Sequence, residues 1–378
     1  MAHPYDVIVA GVGGMGAAAC FHLARRGQRV LGLERFDIAH SRGSSHGITR
    51  IIRLAYYESP AYVPLVRRAF ILWRELEQLA GESLLITTGG LDIGAADSRV
   101  FQGALATCKA CDLKCEVLSG DAVTRRFPGY RLKKGHQAVF QPDAGMVLAE
   151  RSLVGHVVLA QAAGAEIHAR EKVLEWSPIA GGGVRVTTDR RAYEAGRLVV
   201  SAGAWVADLV PALASITVPE RQVVGWFQPS DPAKFAPAAF PVSILDVEEG
   251  MYYALPVYGL PGLKIGLYHH LGERGHADVL SREATEADEA ALRRGLAAYF
   301  PEANGQTMAL ATCLFTVTPD EHFIIDTLPG QDEVIVASPC SGHGYKFASP
   351  IGEIIADLAT GADCAFDLSM FRIGRFDR

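Results

Sequence analysis

The segment from Tyr5 to Glu34 constrains the fold more than any other feature of the chain. Residues 5–10, Tyr-Asp-Val-Ile-Val-Ala, form an apolar, β-branched run that is typical of a strand buried in a parallel sheet. A glycine-rich turn follows, then a helical stretch that ends at Gly27 and a second strand with Glu34 at its tip. This order of strand, turn, helix and strand predicts a Rossmann-like βαβ unit.

The turn has glycine at the positions where a dinucleotide needs it. Gly11 suits a tight turn, Gly13 lets the backbone approach a pyrophosphate, and Gly16 permits close packing of helix on strand. The helix N-terminus offers free N–H groups to the phosphates, and Glu34 is placed to accept hydrogen bonds from ribose hydroxyls. A carboxylate there repels a 2′-phosphate, which disfavours NADP. The motif alone does not distinguish NAD from FAD.

Composition and charge exclude several classes of protein. The chain has 378 residues, 49% of them hydrophobic and 21% charged, as expected for a globular protein of about two domains. The net charge of −6 gives no general attraction to nucleic acid or anionic lipid. No basic segment precedes the uncharged run from Val7 to Ala24, as a signal peptide would require. We expect neither a nucleic-acid partner nor a membrane association.

The cysteines predict reduced thiols. There are 7 of them, an odd number in a long chain, which indicates a cytoplasmic location without a disulfide framework. Cys108, Cys111 and Cys115 lie close together, but no second set with metal-ligand spacing follows. We therefore expect them to be packing residues and expect no metal site.

Two arginines and a second glycine turn suggest anion binding. Arg50 and Arg53 lie in an apolar run, where a guanidinium needs a partner, and the pattern leaves open a structural ion pair or an anion site. Near the C-terminus, a buried strand leads into Gly342-His343-Gly344 and then a helix, with Lys346 at the helix start. Backbone N–H groups at such a turn can bind an anion or an electron-rich ring edge.

Three stretches resemble one known family. Residues 43–53, Gly-Ser-Ser-His-Gly-Ile-Thr-Arg-Ile-Ile-Arg, look like the N-terminal region of the monomeric sarcosine oxidase, N-methyltryptophan oxidase and pipecolate oxidase family. The run from Cys313 to Phe323 and the turn from Ser341 to Phe347 resemble the same family. Its members are FAD enzymes that oxidise secondary amino acids, and the likeness covers nearly the whole chain.

The resemblance implies an α/β fold of two interleaved domains. A Rossmann-like FAD-binding domain is expected at 1–85, 148–218 and 308–378. A substrate domain with a mixed, largely antiparallel sheet is expected at 86–147 and 219–307. The residues that select the substrate are expected between Phe240 and Tyr258.

The resemblance also implies how the cofactor is held. In the sarcosine and N-methyltryptophan members, a cysteine that matches Cys313 carries the flavin as an 8α-thioether, which requires a lowered thiol pKa. Cys340 lies beside the same turn and is the alternative thiol. The complete expected cofactor-binding set is Gly11, Gly13, Gly14, Met15, Gly16, Glu34, Arg35, Ser44, His46, Arg50, Cys313, Gly342, His343, Gly344 and Lys346.

Substrate-side roles follow from the same likeness. Arg53 and Lys346 are expected to bind the substrate carboxylate. Lys264 is expected to hold a water near the flavin and activate oxygen. The further residues expected at the reaction site are Arg50, His46, Tyr253 and His269, with His270 as the alternative to His269 because the run after Lys264 is one residue longer than the family pattern.

The implied reaction is oxidation of a secondary amine to an imine, which water hydrolyses, with reduction of O2 to H2O2 by a monomeric enzyme. Three alternatives stay open at this point. They are a flavin dehydrogenase with another electron acceptor, an NAD-dependent dehydrogenase and a non-catalytic dinucleotide-binding sensor.

Overall fold

A computed structural model of the protein describes residues 3–338 and 341–377, which form three sheets with helices packed around them. In chain order the helices are α1 (Gly14–Arg25), α2 (Val63–Ala80), α3 (Arg99–Ala110), α4 (Gly120–Arg126), α5 (Ala149–Ala162), α6 (Val206–Leu209), α7 (Glu286–Tyr299) and α8 (Ala348–Thr360). The strands are β1 (Tyr5–Ala10), β2 (Val30–Leu33), β3 (Thr49–Ile52), β4 (Leu85–Thr87), β5 (Gly90–Gly94), β6 (Glu116–Ser119), β7 (Gln137–Gln141), β8 (Gly145–Leu148), β9 (Glu166–His168), β10 (Val173–Pro178), β11 (Val184–Thr188), β12 (Ala192–Val200), β13 (Val218–Phe227), β14 (Val242–Val247), β15 (Gly250–Leu255), β16 (Leu263–Leu267), β17 (Thr307–Val317), β18 (Ile324–Leu328) and β19 (Gln331–Ser338).

The first sheet contains the expected βαβ unit. Its strand order is β10-β11-β12-β1-β2-β9, and β19 pairs with β12 while β18 pairs with β19. Strands β9, β2, β1, β12 and β19 are parallel, so their carboxyl ends meet at one edge. The helices α1, α5 and α8 cover one face of this sheet. The predicted Rossmann-like fold is confirmed.

The second sheet is mostly antiparallel, with the order β17-β13-β16-β15-β14-β5-β7-β6. It includes strands from 86–147 and from 219–307, the two ranges expected to form a substrate domain. The boundary expected at 307/308 cuts β17, which pairs with β13 over its whole length. A small third sheet has the order β3-β8-β4. Its strands come at the points in the sequence where the chain passes from the first sheet to the second and back.

A disulfide corrects the expectation of reduced thiols. Cys108, near the end of α3, is bonded to Cys115, just before β6, and their Cα atoms are 6.5 Å apart. The turn after α3 brings these two thiols together because the chain reverses there, at Asp112 with its φ of 48°. The cytoplasmic location inferred from the cysteine count stays a prediction. No helix in the described part of the chain is both long and apolar enough to cross a membrane.

Two histidines are buried in the helical layer that covers the first sheet. His22 on α1 and His156 on α5 are 7% and 1% exposed, and Nε2 of each has no hydrogen-bond partner among the described residues. The ring of His156 contacts Phe21 and Trp73, with centroid distances of 5.4 and 5.5 Å. Burial lowers the pKa of His22 and of His156 to about 3.

This burial predicts a loss of stability in acid. The unfolded chain protonates these side chains below about pH 6.5, whereas the folded protein does not until about pH 3. The free energy of unfolding therefore falls as the pH drops through this range. At pH 5 each histidine costs about 2 kcal/mol relative to neutral pH.

His156→Leu should flatten this dependence. We expect its melting temperature to fall less between pH 7 and pH 5 than that of the wild type, because one group no longer has to stay neutral. Calorimetry of the purified protein measures the two slopes. The exposed His276 provides the control, and His276→Leu should keep the wild-type slope. Equal slopes in wild type and His156→Leu would contradict the assignment.

Candidate active site

One cavity of about 590 Å³ contains most of the residues that the sequence singles out. This volume is typical of a small-molecule or cofactor site. Of the expected site residues, those lining it are Gly11, Gly13, Gly14, Met15, Glu34, Arg35, Ser44, Arg50, Arg53, Tyr253, Lys264, Cys313, Gly342, His343, Gly344 and Lys346. The cavity therefore extends from the dinucleotide turn to the two cations expected to bind a carboxylate.

The turn between β1 and α1 leaves no room for a side chain at Gly11 or Gly16. Gly11 has φ of 98°, and a Cβ atom there would lie 2.6 Å from the carbonyl oxygen of Ser201. A Cβ atom at Gly16 would lie 1.8 Å from the Gly11 carbonyl oxygen, so Gly16 packs helix on turn and does not line the cavity. Gly13, at the N-cap position of α1, has no side chain, and the first turn has no acidic residue. One N–H of this turn donates to the hydroxyl of Ser45 at 3.0 Å, and the positive dipole and the remaining N–H groups are available to the cavity.

The acid at the tip of β2 is fixed by the backbone. The two oxygens of Glu34 accept hydrogen bonds from the N–H groups of Val12 and Phe36, both at 3.0 Å. Beside it, the guanidinium of Arg35 lies 4.8 Å from the ring of Trp205. Its Nη1 is buried and lacks a hydrogen-bond partner in the described ranges. A fixed carboxylate, an unpartnered guanidinium nitrogen and the positive end of a helix dipole fit a bound dinucleotide such as FAD.

Lys264 lies in the middle of the cavity wall, on β16. Its Nζ donates to the carbonyl oxygens of Gly47 and Thr49, both at 2.7 Å, and only 2% of the residue is exposed. Burial, and then the nearby Arg50 guanidinium, lower the pKa of Lys264 well below its usual value. The bonds tie the second sheet to the segment that enters β3. Lys264 is therefore not a solvated surface lysine.

Cys313 is a free thiol on β17, 5% exposed, in the wall of the same cavity. The attachment chemistry predicts a lowered thiol pKa, but burial raises the pKa of Cys313 and outweighs the opposing charges of Arg50, Lys264 and Arg282. The lowered thiol pKa that the attachment requires is therefore not found at Cys313, although the three nearby charges favour the thiolate. The alternative thiol, Cys340, lies outside the described residues.

Arg53 already has carboxylate partners. Its Nη2 donates to both oxygens of Glu58, at 2.9 and 3.1 Å, and its Nη1 donates to the carbonyl oxygen of Ala55 at 2.9 Å. The Oδ1 atom of Asp92 lies 3.6 Å from its Nε. Burial raises the pKa of Asp92 to about 7. The ion pair that the sequence left open is present, and Arg53 faces the cavity as well.

Lys346 lies at the same end of the cavity with neutral partners. Its Nζ donates to the carbonyl oxygen of His343 at 2.7 Å and to the hydroxyl of Tyr56 at 3.2 Å. Burial, and then the charge of Arg53, lower the pKa of Lys346 to about 7. Nε2 of His343 lies 2.9 Å from the Glu321 carbonyl oxygen, so it carries the proton, and Nδ1 accepts from Tyr56 at 2.6 Å.

His46, His269 and its alternative His270 do not line the described cavity wall. His46 is buried beside the cavity, where its Nε2 lies 3.2 Å from the Gly43 carbonyl oxygen, and burial lowers its pKa to about 4. Neither His269 nor His270 reaches the described cavity wall. Strand β16 ends at Leu267, and the next turn, with φ of 59° and 33° at the two histidines, points both rings away.

Sequence analysis missed the aromatic part of the wall. Tyr57, Tyr268 and Phe315 line the cavity, yet their residue types carry no chemistry that would identify them in a sequence. Glu58 was missed as well, although an acid five residues after a buried arginine is a recognisable signal. Within the expected selecting range of 240–258, the cavity residues are Ile244, Met251, Tyr252, Tyr253 and Leu255.

Known proteins are similar to this chain over nearly its whole length. Residues 6–358 match the family model described as FAD dependent oxidoreductase. A monomeric sarcosine oxidase from Streptomyces avermitilis is 39% identical, over 98% of this chain and 97% of its own. An N-methyl-L-tryptophan oxidase from Salmonella heidelberg is 35% identical, over 99% of this chain and 100% of its own.

Solved structures agree with the fold. NikD, described as an unusual amino acid oxidase essential for nikkomycin biosynthesis, superposes with a TM-score of 0.84 and 27% identity, covering 97% of both chains. The L-proline dehydrogenase from P. horikoshii has the same fold at a TM-score of 0.85 and 20% identity, covering 100% of this chain and 99% of its own. This chain therefore belongs to the family of FAD-dependent oxidoreductases that includes the monomeric sarcosine oxidases and the N-methyl-L-tryptophan oxidases.

Proposed function

We propose that this enzyme oxidises an N-methyl or cyclic secondary amino acid to an imine and transfers the electrons to O2, forming H2O2. The observation that carries the proposal is that one cavity joins the dinucleotide turn at Gly11 to two buried cations, Arg53 and Lys346. The relatives named above oxidise amino acids of this kind. We further propose that the enzyme acts as a monomer in the cytoplasm and holds its FAD through Cys313.

The chain's own residues would orient the two ligands. Bound FAD supplies the acceptor for a hydride equivalent and the route by which two electrons reach oxygen. The N–H groups at the start of α1 and the carboxylate of Glu34 would hold its phosphates and ribose. Lys346 and Arg53 would bind the substrate carboxylate. Burial raises the pKa of Tyr253, so its hydroxyl keeps its proton at the substrate side.

Lys264 would have two uses in oxygen reduction. When protonated, its ammonium would stabilise the negative charge that develops on oxygen, without solvent reorganisation. Forming H2O2 also consumes two protons, and the lowered pKa of Lys264 would ease proton release from this ammonium. The carbonyl oxygens of Gly47 and Thr49 keep its Nζ in place.

An anaerobic substrate screen tests the proposal. N-methylglycine, N-methyl-L-tryptophan, L-proline and L-pipecolate are mixed with the purified protein while the flavin absorbance is recorded. We expect at least one to bleach the flavin, and air should then yield one H2O2 per imine. Glycine and L-tryptophan are the matched primary-amine controls and should bleach it far more slowly.

The same screen separates the alternatives. Bleaching with dye reduction but without H2O2 indicates a dehydrogenase with another acceptor. A flavin that no secondary amino acid bleaches contradicts the proposal and favours a sensor. A colourless protein would favour NAD.

Lys264 and Lys346 should affect different half-reactions. Lys264→Met should slow reoxidation of the flavin by O2 about 100-fold, because charge stabilisation at oxygen is lost, and should change its reduction by less than about threefold. Lys346→Met should raise the substrate Kd at least about tenfold and leave reoxidation unchanged, because a cation facing the carboxylate is lost. Stopped-flow spectroscopy of each half-reaction measures both effects. Equal slowing of both half-reactions by Lys264→Met would contradict its role.

Acid precipitation tests the attachment. We expect the wild-type flavin to stay with the precipitated protein and the flavin of Cys313→Ser to remain in the supernatant. Cys340→Ser is the matched control and should retain its flavin. Release from the wild type would exclude a covalent bond, and release from Cys340→Ser alone would assign the bond to Cys340.

A further inference from the structure

The turn after β16 places an aromatic ring in the cavity wall. The hydroxyl of Tyr268 donates to the Ser341 carbonyl oxygen at 2.6 Å, and its ring lies 5.5 Å from that of Phe315. A Cβ atom at Gly342 would lie 2.7 Å from the Tyr268 ring, so this ring packs directly on the glycine turn. Contacts with a hydrogen-bond acceptor, a ring and a backbone segment therefore fix the position of Tyr268.

The side chain of the next residue, His269, contacts two carboxylates and so holds the backbone of this turn in place. Nδ1 of His269 lies 2.7 Å from Glu220, on β13, and its Nε2 lies 3.1 Å from Glu321, in the loop between β17 and β18. Hydrogen bonds to both carboxylates raise the pKa of His269 to about 9. Arg274 bonds to the far oxygen of Glu220, and Arg99 lies 3.6 Å from Glu321. At neutral pH His269 is therefore a cation that bridges two separate parts of the structure.

Tyr268 lies at the cationic end of the cavity. Burial, and then the nearby Tyr57 hydroxyl, raise the pKa of Tyr268. Tyr57 itself lies under the guanidinium of Arg53, 4.7 Å away, and its hydroxyl contacts the sulfur of Met251 at 3.6 Å. Four large side chains, of Tyr57, Met251, Tyr268 and Phe315, thus line the cavity near the point where a substrate carboxylate would bind.

We propose that Tyr268 is a specificity-determining residue that restricts the substrate to secondary amino acids with small side chains, and that His269 is its positioning residue. This inference rests on the proposed function. A dinucleotide and a substrate have to share a cavity of about 590 Å³. An amino acid held by its carboxylate at Arg53 and Lys346 would have these four side chains within the same cavity. The bond to Ser341 and the packing on Gly342 prevent the ring from moving aside.

Substrate competition in Tyr268 variants tests the inference. The measured quantity is the ratio of kcat/KM for N-methylglycine to that for N-methyl-L-tryptophan, which does not depend on how much flavin each preparation holds. The wild type should prefer N-methylglycine. Tyr268→Ala should move the ratio toward the bulky substrate by at least about tenfold, as expected for removing a steric wall. Tyr268→Phe keeps the ring and should change the ratio by less than about threefold. Tyr268→Leu provides a second reduced side chain if the alanine variant folds poorly.

The positioning role of His269 is tested by a variant and by the pH dependence of the same ratio. His269→Gln removes the bridging cation and should shift the ratio in the same direction, by less than Tyr268→Ala. In the wild type the ratio should drift toward the bulky substrate as the pH passes about 9, where His269 loses its charge, and His269→Gln should show no such drift. Titration of Lys346 affects both substrates alike, and the difference between the amine pKa values of the two substrates contributes equally to wild type and His269→Gln, so the difference in drift between the two enzymes reports His269.

The outcomes distinguish the two proposals. If the wild type oxidises either compound but Tyr268→Ala leaves the ratio unchanged, the specificity role is excluded and the function stands. An equal shift in Tyr268→Phe, or a wild-type preference for the bulky substrate, also overturns the steric role. If His269→Gln keeps the wild-type ratio and pH drift, its positioning role is excluded. If the wild type oxidises no secondary amino acid, the proposed function fails and this inference fails with it.

Discussion

The burial of positive charge around one cavity organises this structure. Arg53, Lys264 and Lys346 are 3%, 2% and 6% exposed, and a buried cation is costly unless polar groups replace its water. Here the replacements come from distant segments of the chain. Lys264 on the second sheet bonds to carbonyl oxygens beside β3, and Lys346 bonds to the Tyr56 hydroxyl just after β3. The segment around β3 therefore links the second sheet to the turn before α8, and the hydrogen bonds that replace the water of the buried cations also build the site.

The parts of the site that depend on local geometry could be predicted from the sequence. Gly11 and Gly16 are needed because backbone atoms approach within 3 Å of where their Cβ atoms would be, and such a requirement is visible in the sequence as glycine. The capping box at Thr285 and Asp288 is also visible in the sequence, because both of its hydrogen bonds join residues three apart. The likeness to known oxidases then added Cys313 and Lys264, which line the cavity but carry no distinguishing local pattern.

Side-chain positions near the end of a strand were harder to predict from the sequence. Residues alternate between the two faces of a strand only as far as the strand continues, and β16 stops at Leu267. Beyond it, the positive φ values of His269 and His270 change the direction of both rings, so counting from Lys264 along a strand does not identify the residue that lines the cavity. Tyr268 takes the cavity position instead. The disulfide between Cys108 and Cys115 was missed for a related reason, because only the path of the turn after α3 brings the two thiols together.

Arg53 and Lys346, the two cations expected to bind the substrate carboxylate, have different partners. A substrate carboxylate that reaches Arg53 has to share it with Glu58, which already holds Nη2 through both oxygens. Lys346 has only a carbonyl and a hydroxyl as hydrogen-bond partners among the described residues, so its charge is not compensated by direct contact with a carboxylate. Because the pKa of Lys346 is about 7, an arriving anion favours its charged form and draws a proton onto the site. Under the proposed function, Lys346 would therefore supply the charge that substrate binding adds, and Arg53, fixed by Glu58, would set the direction in which the carboxylate is held.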